Sequence, residues 1–311
     1  MAAAPVAGSA AEWSKSAANG EGSAADWSSQ KGANAEKALA SELRTLWIWN
    51  LVCFILHLVQ GVACLAAALA VERIKNFRLP ITTQFLQWTS AGPGLPVRPT
   101  QVSATLGYLP FVAVTSGFAF LSAAAHAAVL LRWADYVRGL AAGMNRFRWF
   151  EYALSSSLMI VLISMLFGVY DLFTLIGIGS INAAMCLFGD LHEAMNARKE
   201  PKDVDWFAYA YGTLAGIVPW GIIIAYIAAT PNLENVPKFV WAIVVLYFLL
   251  FQVFPLTMFL QYKQLCWCSN KRYPDLPNGG YYAGERTYQT LSLVAKSLLL
   301  WLVVGGSNQP N

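Results

Sequence analysis

The 311-residue sequence predicts an all-α membrane protein, a seven-transmembrane-helix bundle with a β-ribbon in the outer loop between the first two helices. Three observations predict it. The chain is 57% hydrophobic and only 12% charged, where soluble domains carry about 25% charged residues. Seven stretches reach or approach the roughly 20 apolar residues that cross a bilayer as helix. One longer segment between two of them alternates apolar and polar residues around a glycine–proline breaker.

The elements follow in order. Residues 1–44 are rich in Ala, Ser and Gly and cannot bury a core, so they read as a disordered N-terminal tail whose last part, from about Ala33, runs helically into the first span. The tail lacks the basic start, apolar run and cleavage site of a secretory signal. Spans are expected near 46–71, 107–131, 145–169, 172–195, 207–229, 238–262 and 286–304, giving a membrane domain over 45–305 and a short tail over 306–311. The loop 72–106 holds RLPITTQFLQW and LPVRPTQVSA on either side of SAGPG, the pattern of a two-stranded ribbon. Its four prolines suit an edge or capping role, with a homodimer contact as one use.

Orientation follows from charge. Seven spans put the termini on opposite sides, and fifteen of the 21 Lys and Arg fall on the N-terminal side against five on the other, with Lys296 inside. The positive-inside rule then makes the N-terminus cytoplasmic and the C-terminus external. The five cysteines, at 53, 64, 186, 266 and 268, fit neither a zinc site nor a CxxC pair and read as small apolar fillers. Phosphate-cradling glycine loops, nucleophile elbows and metal-ligand clusters are missing from the pattern, as is any sign of nucleic-acid binding.

The chemistry is concentrated in a few polar residues within the spans. Lys296 sits in LSLVAKSLLLWL, where a lysine at mid-membrane costs roughly 2.5–3.5 kcal/mol. By helical rise it lies about 15 Å from the N-terminal face. From that same face Glu151, in RWFEY, lies about 9 Å deep, His126 about 8 Å and His57 about 16 Å. The sequence offers no other acid well inside a span, Asp190 and Glu193 falling at the inner end of span four. One amine and one carboxylate at low dielectric form a charge pair, since either alone would neutralise. Three uses remain open: an ion pair fixing helix register, a proton relay through Glu151 and the histidines, or a nucleophilic lysine that forms a Schiff base whose cation still needs a carboxylate. In span six Phe248, Phe251 and Phe254 recur at three-residue intervals beside Pro255, a wall suited to a flat apolar ligand.

Over residues 45–305 these features resemble the microbial rhodopsins, and among them the heliorhodopsins. The resemblance rests on the lysine of span seven, RWFEY in span three and FQVFP in span six. It implies that Lys296 carries all-trans retinal as a Schiff base, that Glu151 is the counterion with Arg148 as its neighbour one turn earlier, and that Phe251, Phe254 and Pro255 wall the chromophore. Tyr152, Ser155, Ser156 and Ser292 are expected around the same ligand, and His57 and His126 resemble the histidines of the family's polar cavity. Heliorhodopsins also have the inverted orientation and the outer ribbon. Ion pumps carry a second carboxylate one turn before the lysine and a proton donor eleven residues beyond the counterion; here stand Ser292 and Leu162. The expectation is therefore a light-sensing photoreceptor without pumping or enzymatic activity, its partners being retinal, the lipid bilayer and a cytoplasmic signalling protein, with a light-gated passive proton or ion conductance as the alternative.

Overall fold

The computed structural model describes residues 24–309 apart from 91, 95 and 198, with side chains from residue 31 onward. Seven helices are long and apolar enough to cross a membrane. Helix α1 (Ala24–Ala70) is continuous through the first span, so the helical part of the tail begins nine residues before the expected position, and residues 1–23 lie outside the described residues. Its inward stripe, Leu46, Asn50, Cys53, His57, Cys64 and Ala68, is buried at three-, four- and seven-residue intervals. The outward stripe of Ile48, Ile55, Val59 and Val62 is exposed, as a lipid-facing surface requires.

After the one-turn helix α2 (Glu72–Lys75) the chain forms the expected ribbon. Strand β1 (Arg78–Ser90) pairs antiparallel with β2 (Val97–Pro110), with a register shift between Ile81 and Thr82. The hairpin turn contains Gly94 at φ 79°, a left-handed conformation that glycine adopts without steric cost. At the irregularity the Thr82 N–H donates to the Tyr170 carbonyl at 2.8 Å, which ties the ribbon to the turn between the third and fourth spans.

Helix α3 (Phe111–Leu131) packs along α1, and the amphipathic α4 (Trp133–Ala141) buries Tyr136 and Leu140 against the opposite end of the bundle from the ribbon. Helix α5 (Arg146–Leu166) starts where the Asn145 side chain accepts the Arg148 N–H at 3.2 Å. Helix α6 (Leu172–Asn196) starts where Asp171 accepts the Thr174 N–H at 2.8 Å; both are N-caps that satisfy orphan amides. Helices α7 (Phe207–Ala229) and α8 (Lys238–Lys263) each contain an internal proline, Pro219 and Pro255.

Helix α9 (Gly279–Ser307) is longer than the expected 286–304. Its first two turns, GGYYAGER, are buried because the single-turn helices after α8 close over them. A Cβ on Gly280 would stand 2.0 Å from the Cys268 carbonyl oxygen, so only glycine permits that closure. At the far end Arg73 donates to the Asn308 carbonyl at 3.2 Å, joining α2 to the end of α9.

Candidate chromophore site

Helices α5 and α9 bring Lys296 and Glu151 together. The Lys296 Nζ lies 2.5 Å from Glu151 Oε1, and the two side chains are 4% and 8% exposed. Both are thus inside the bundle, where charges persist only in each other's company. Two hydroxyls complete the arrangement: Ser292, one turn before the lysine, accepts from Nζ at 2.7 Å, and Ser122 of α3 donates to the same Glu151 oxygen at 2.7 Å. Ser122 has no counterpart in the sequence reading, since a serine in an apolar span carries no pattern. Tyr152 places its ring 5.4 Å from Nζ.

On one side of this pair lies a cavity of about 410 Å³ bounded by α5, α6, α7, α8 and α9. Tyr152, Ser155, Ser156, Phe251, Phe254, Pro255, Ser292 and Lys296 all line it, as does Phe248. Trp220 of α7 meets Phe248 and Phe251 edge-on at 5.3 and 5.5 Å between ring centroids. The volume is in the range of small-molecule sites, about 300–1,000 Å³. The lining is apolar and aromatic, the amine sits at one end, and a Cβ added to Gly221 would meet open space. An elongated apolar molecule with one amine-reactive end fits these residues.

The serines divide. Ser155 Oγ is buried and turned towards the Glu151 carboxylate. Ser156 donates to the Tyr152 carbonyl at 2.7 Å and accepts from Asn182 at 2.8 Å, so it is part of an α5–α6 network that the sequence did not announce.

Three tyrosine hydroxyls lock the helices around the cavity. Tyr247 of α8, fully buried, donates to the carbonyl of Ala295, the residue before the lysine. Tyr288 of α9 reaches the Phe254 carbonyl at 3.4 Å, and Tyr209 of α7 the Pro255 carbonyl at 3.2 Å. The proline region of α8 is thereby tethered to both of its neighbours.

On the other side of the Lys296–Glu151 pair the site is polar. His57 and His126 stack at 5.7 Å between centroids, and His126 Nδ1 is 2.8 Å from Asn50 Oδ1. A small cavity of about 30 Å³, lined by Asn50, His126, Tyr136, Glu151 and Glu285 among others, runs from Glu151 towards α4.

Beyond it lies a second charged cluster. Arg148 stands one turn before Glu151, as expected, with its charge engaged elsewhere. Its guanidinium pairs with Glu193 of α6 and Glu285 of α9, over the Tyr288 ring at 4.1 Å, with all three charged side chains at most 3% exposed. The expectation of no further acid inside the spans fails at Glu285, which lies six residues into the longer α9 and is 1% exposed, while Glu193 sits at the inner end of α6 as expected and is 0% exposed. Asn145 donates to both, Tyr136 and Gln289 to Glu285. The buried His192, also missed, is ringed by Trp206, Tyr209 and Tyr262.

Seven apolar helices and a lysine–carboxylate pair at the end of an aromatic cavity define an integral, multi-pass membrane protein of rhodopsin architecture. The sequence matches the family model described as Heliorhodopsin over residues 46–307, and the chain belongs to the heliorhodopsin family, which makes it a retinal-binding rhodopsin. Among solved structures it is similar to the light-driven proton pump LR (Mac) from Leptosphaeria maculans, at 15% identity and TM-score 0.45, covering 84% of this chain and 94% of that one. No curated protein matches the sequence.

Proposed function

We propose that the protein is a light-sensing photoreceptor in which Lys296 holds all-trans retinal as a protonated Schiff base and Glu151 is its counterion. The observation that carries this reading is the 2.5 Å contact between Lys296 Nζ and Glu151 Oε1 beside an aromatic cavity that Lys296 lines. Bound retinal supplies visible absorption and a light-driven change of shape. The chain supplies the rest. Glu151 holds a positive charge at Nζ, and Ser122 fixes the carboxylate by donating to the same oxygen. When Nζ and Glu151 part, the proton has a polar region close by, formed by His126, Asn50 and the stacked His57, from which it can return.

Net transport has little support in the chain. Ser292 stands one turn before the lysine, and Leu162, eleven residues beyond Glu151, is buried in apolar packing, so neither position supplies a carboxyl group to take up and release a proton. A cycle without transport suits signalling. The charge count supports a cytoplasmic N-terminus, with α4 and the Arg148 cluster at the same face, where a signalling partner would dock. The exposed Phe85, Leu86, Trp88, Leu106 and Tyr108 of the external ribbon suit a homodimer contact. The second reading, a light-gated passive conductance, draws on the polar cavity between Glu151 and Glu285.

The test is to add all-trans retinal to the expressed protein. A visible band should form in the parent and not in Lys296→Ala, and Glu151→Gln should shift the band to the red and let it bleach at lower pH. A colourless parent, or a Glu151→Gln spectrum identical to the parent's, refutes the assignment. Steady photocurrent that follows the driving force in voltage-clamped cells would replace the sensor by the conductance.

A further inference from the structure

Outside the chromophore site, α1 and α9 diverge at the N-terminal end of the bundle and leave a groove of about 340 Å³ lined by Thr45, Ile48, Trp49, Arg286 and Thr290. The spacing is regular. Thr45, Ile48 and Trp49 stand at i, i+3 and i+4 on α1, and Arg286 and Thr290 at i and i+4 on α9, so each helix turns one face to the groove. Its donors are only partly used. Arg286 meets Glu42 Oε1 through Nε at 3.2 Å, and its side chain is 37% exposed. Among the described residues its terminal amino groups have no hydrogen bond, and the Trp49 indole N–H is buried without a partner. Thr45 and Thr290 turn their hydroxyl protons back to the Ser41 and Arg286 carbonyls.

Position supplies the second argument. The groove straddles the point where α1 passes from SELRT to the apolar LWIW, the depth at which lipid phosphates meet arginine and tryptophan side chains. Below it the exposed stripe of Ile48, Ile55 and Val59 continues along α1. A planar guanidinium with free donors recognises clustered anionic oxygens bidentately.

We propose that this groove binds the phosphate headgroup of an anionic phospholipid, with the Arg286 guanidinium on the phosphate oxygens, Trp49 at the groove wall and an acyl chain along Ile48, Ile55 and Val59. The bound lipid bridges α1 to α9 one residue away from Glu285.

The test is native mass spectrometry of the full chain, purified in detergent and supplied with equal phosphatidylglycerol and digalactosyldiacylglycerol, which has no phosphate. One phosphatidylglycerol should be retained in preference to the galactolipid. Arg286→Gln should lower its retention roughly tenfold, the loss of about one charge-assisted hydrogen bond pair. Glu42→Gln, which removes the ion pair and leaves the guanidinium, should keep or strengthen retention. Equal retention of both lipids, no effect of Arg286→Gln, or equal loss in both variants overturns the proposal. Displacement of the lipid by inorganic phosphate alone makes this a free-anion site and overturns it too, as does a change of oligomeric state in Arg286→Gln with lipid retention unchanged.

Discussion

Replacing Arg148 by Gln should destabilise the protein far more than removing any surface ion pair. Among the described residues Arg148 is the single cation paired with Glu193 and Glu285, in a cluster whose charged side chains are 3%, 0% and 1% exposed. Its loss leaves two like charges buried side by side, and breaking one buried pair already costs about 3–5 kcal/mol. At about 2 °C per kcal/mol for a chain of this size, the melting temperature should fall by roughly 6–10 °C. The same reasoning fixes two comparisons. Glu193→Gln leaves Arg148 and Glu285 as a balanced pair and keeps an acceptor for the Asn145 N–H, so it should cost only about 1–3 kcal/mol. Glu72→Gln removes a Lys75 pair whose side chains are 76% and 48% exposed and should change nothing measurable. Thermal loss of tryptophan fluorescence in detergent reads all three. If Arg148→Gln melts within about 2 °C of the parent, or no lower than Glu193→Gln, the cluster is not charge-balanced in the way described.

Three further outcomes follow from the geometry. A Cβ on Gly189 would stand 2.3 Å from the Trp149 ring, whereas one on Gly216 meets only the flexible Met185 at 2.6 Å; Gly189→Ala should therefore shift the visible band and cost about 1–3 kcal/mol, and Gly216→Ala should do much less. Maleimide at neutral pH should label the exposed Cys266 and leave Cys268 unlabelled by mass spectrometry, since burial pushes the Cys268 thiol up to about 11. The Thr174 N–H and hydroxyl hold the Asp171 carboxyl below its ordinary 3.8. Its folded value is the depressed one, so the cap contributes stability above the unfolded value and loses it as pH falls through the folded one; a melting temperature that drops there in the parent and stays flat in Asp171→Ala would verify this.

The spans were legible because lipid enforces long apolar runs, and the Lys296–Glu151 pairing because a lysine and a carboxylate isolated in such runs have few other partners. The start of α9 was not. GGYYAGE reads as the end of a polar loop, yet its glycines sit under the Cys268 turn and its Glu285 faces Arg148, Tyr136 and Asn145 rather than lipid. Hydropathy describes what faces the solvent of a helix and says little about a helix end enclosed by other helices. The partners of Arg148 were hidden for a related reason, because spacing along α5 gives its angle but not the acids on α6 and α9 that compete for it. Ser122 and the tyrosine-to-carbonyl bonds leave no trace in spacing at all, since a hydroxyl that donates across helices looks like any other residue of its type.

Those tyrosine bonds bear on how the protein can be re-engineered. With Tyr247 holding the residue before the lysine, and Tyr288 and Tyr209 holding the backbone beside Pro255, the wall of the cavity and the helix that presents the amine share one mechanical frame. A chimera that imports the sixth span from another rhodopsin to change colour would also import or sever that frame. Colour and cycle time are therefore expected to vary together in such transplants, and to separate only when the three hydroxyls are kept.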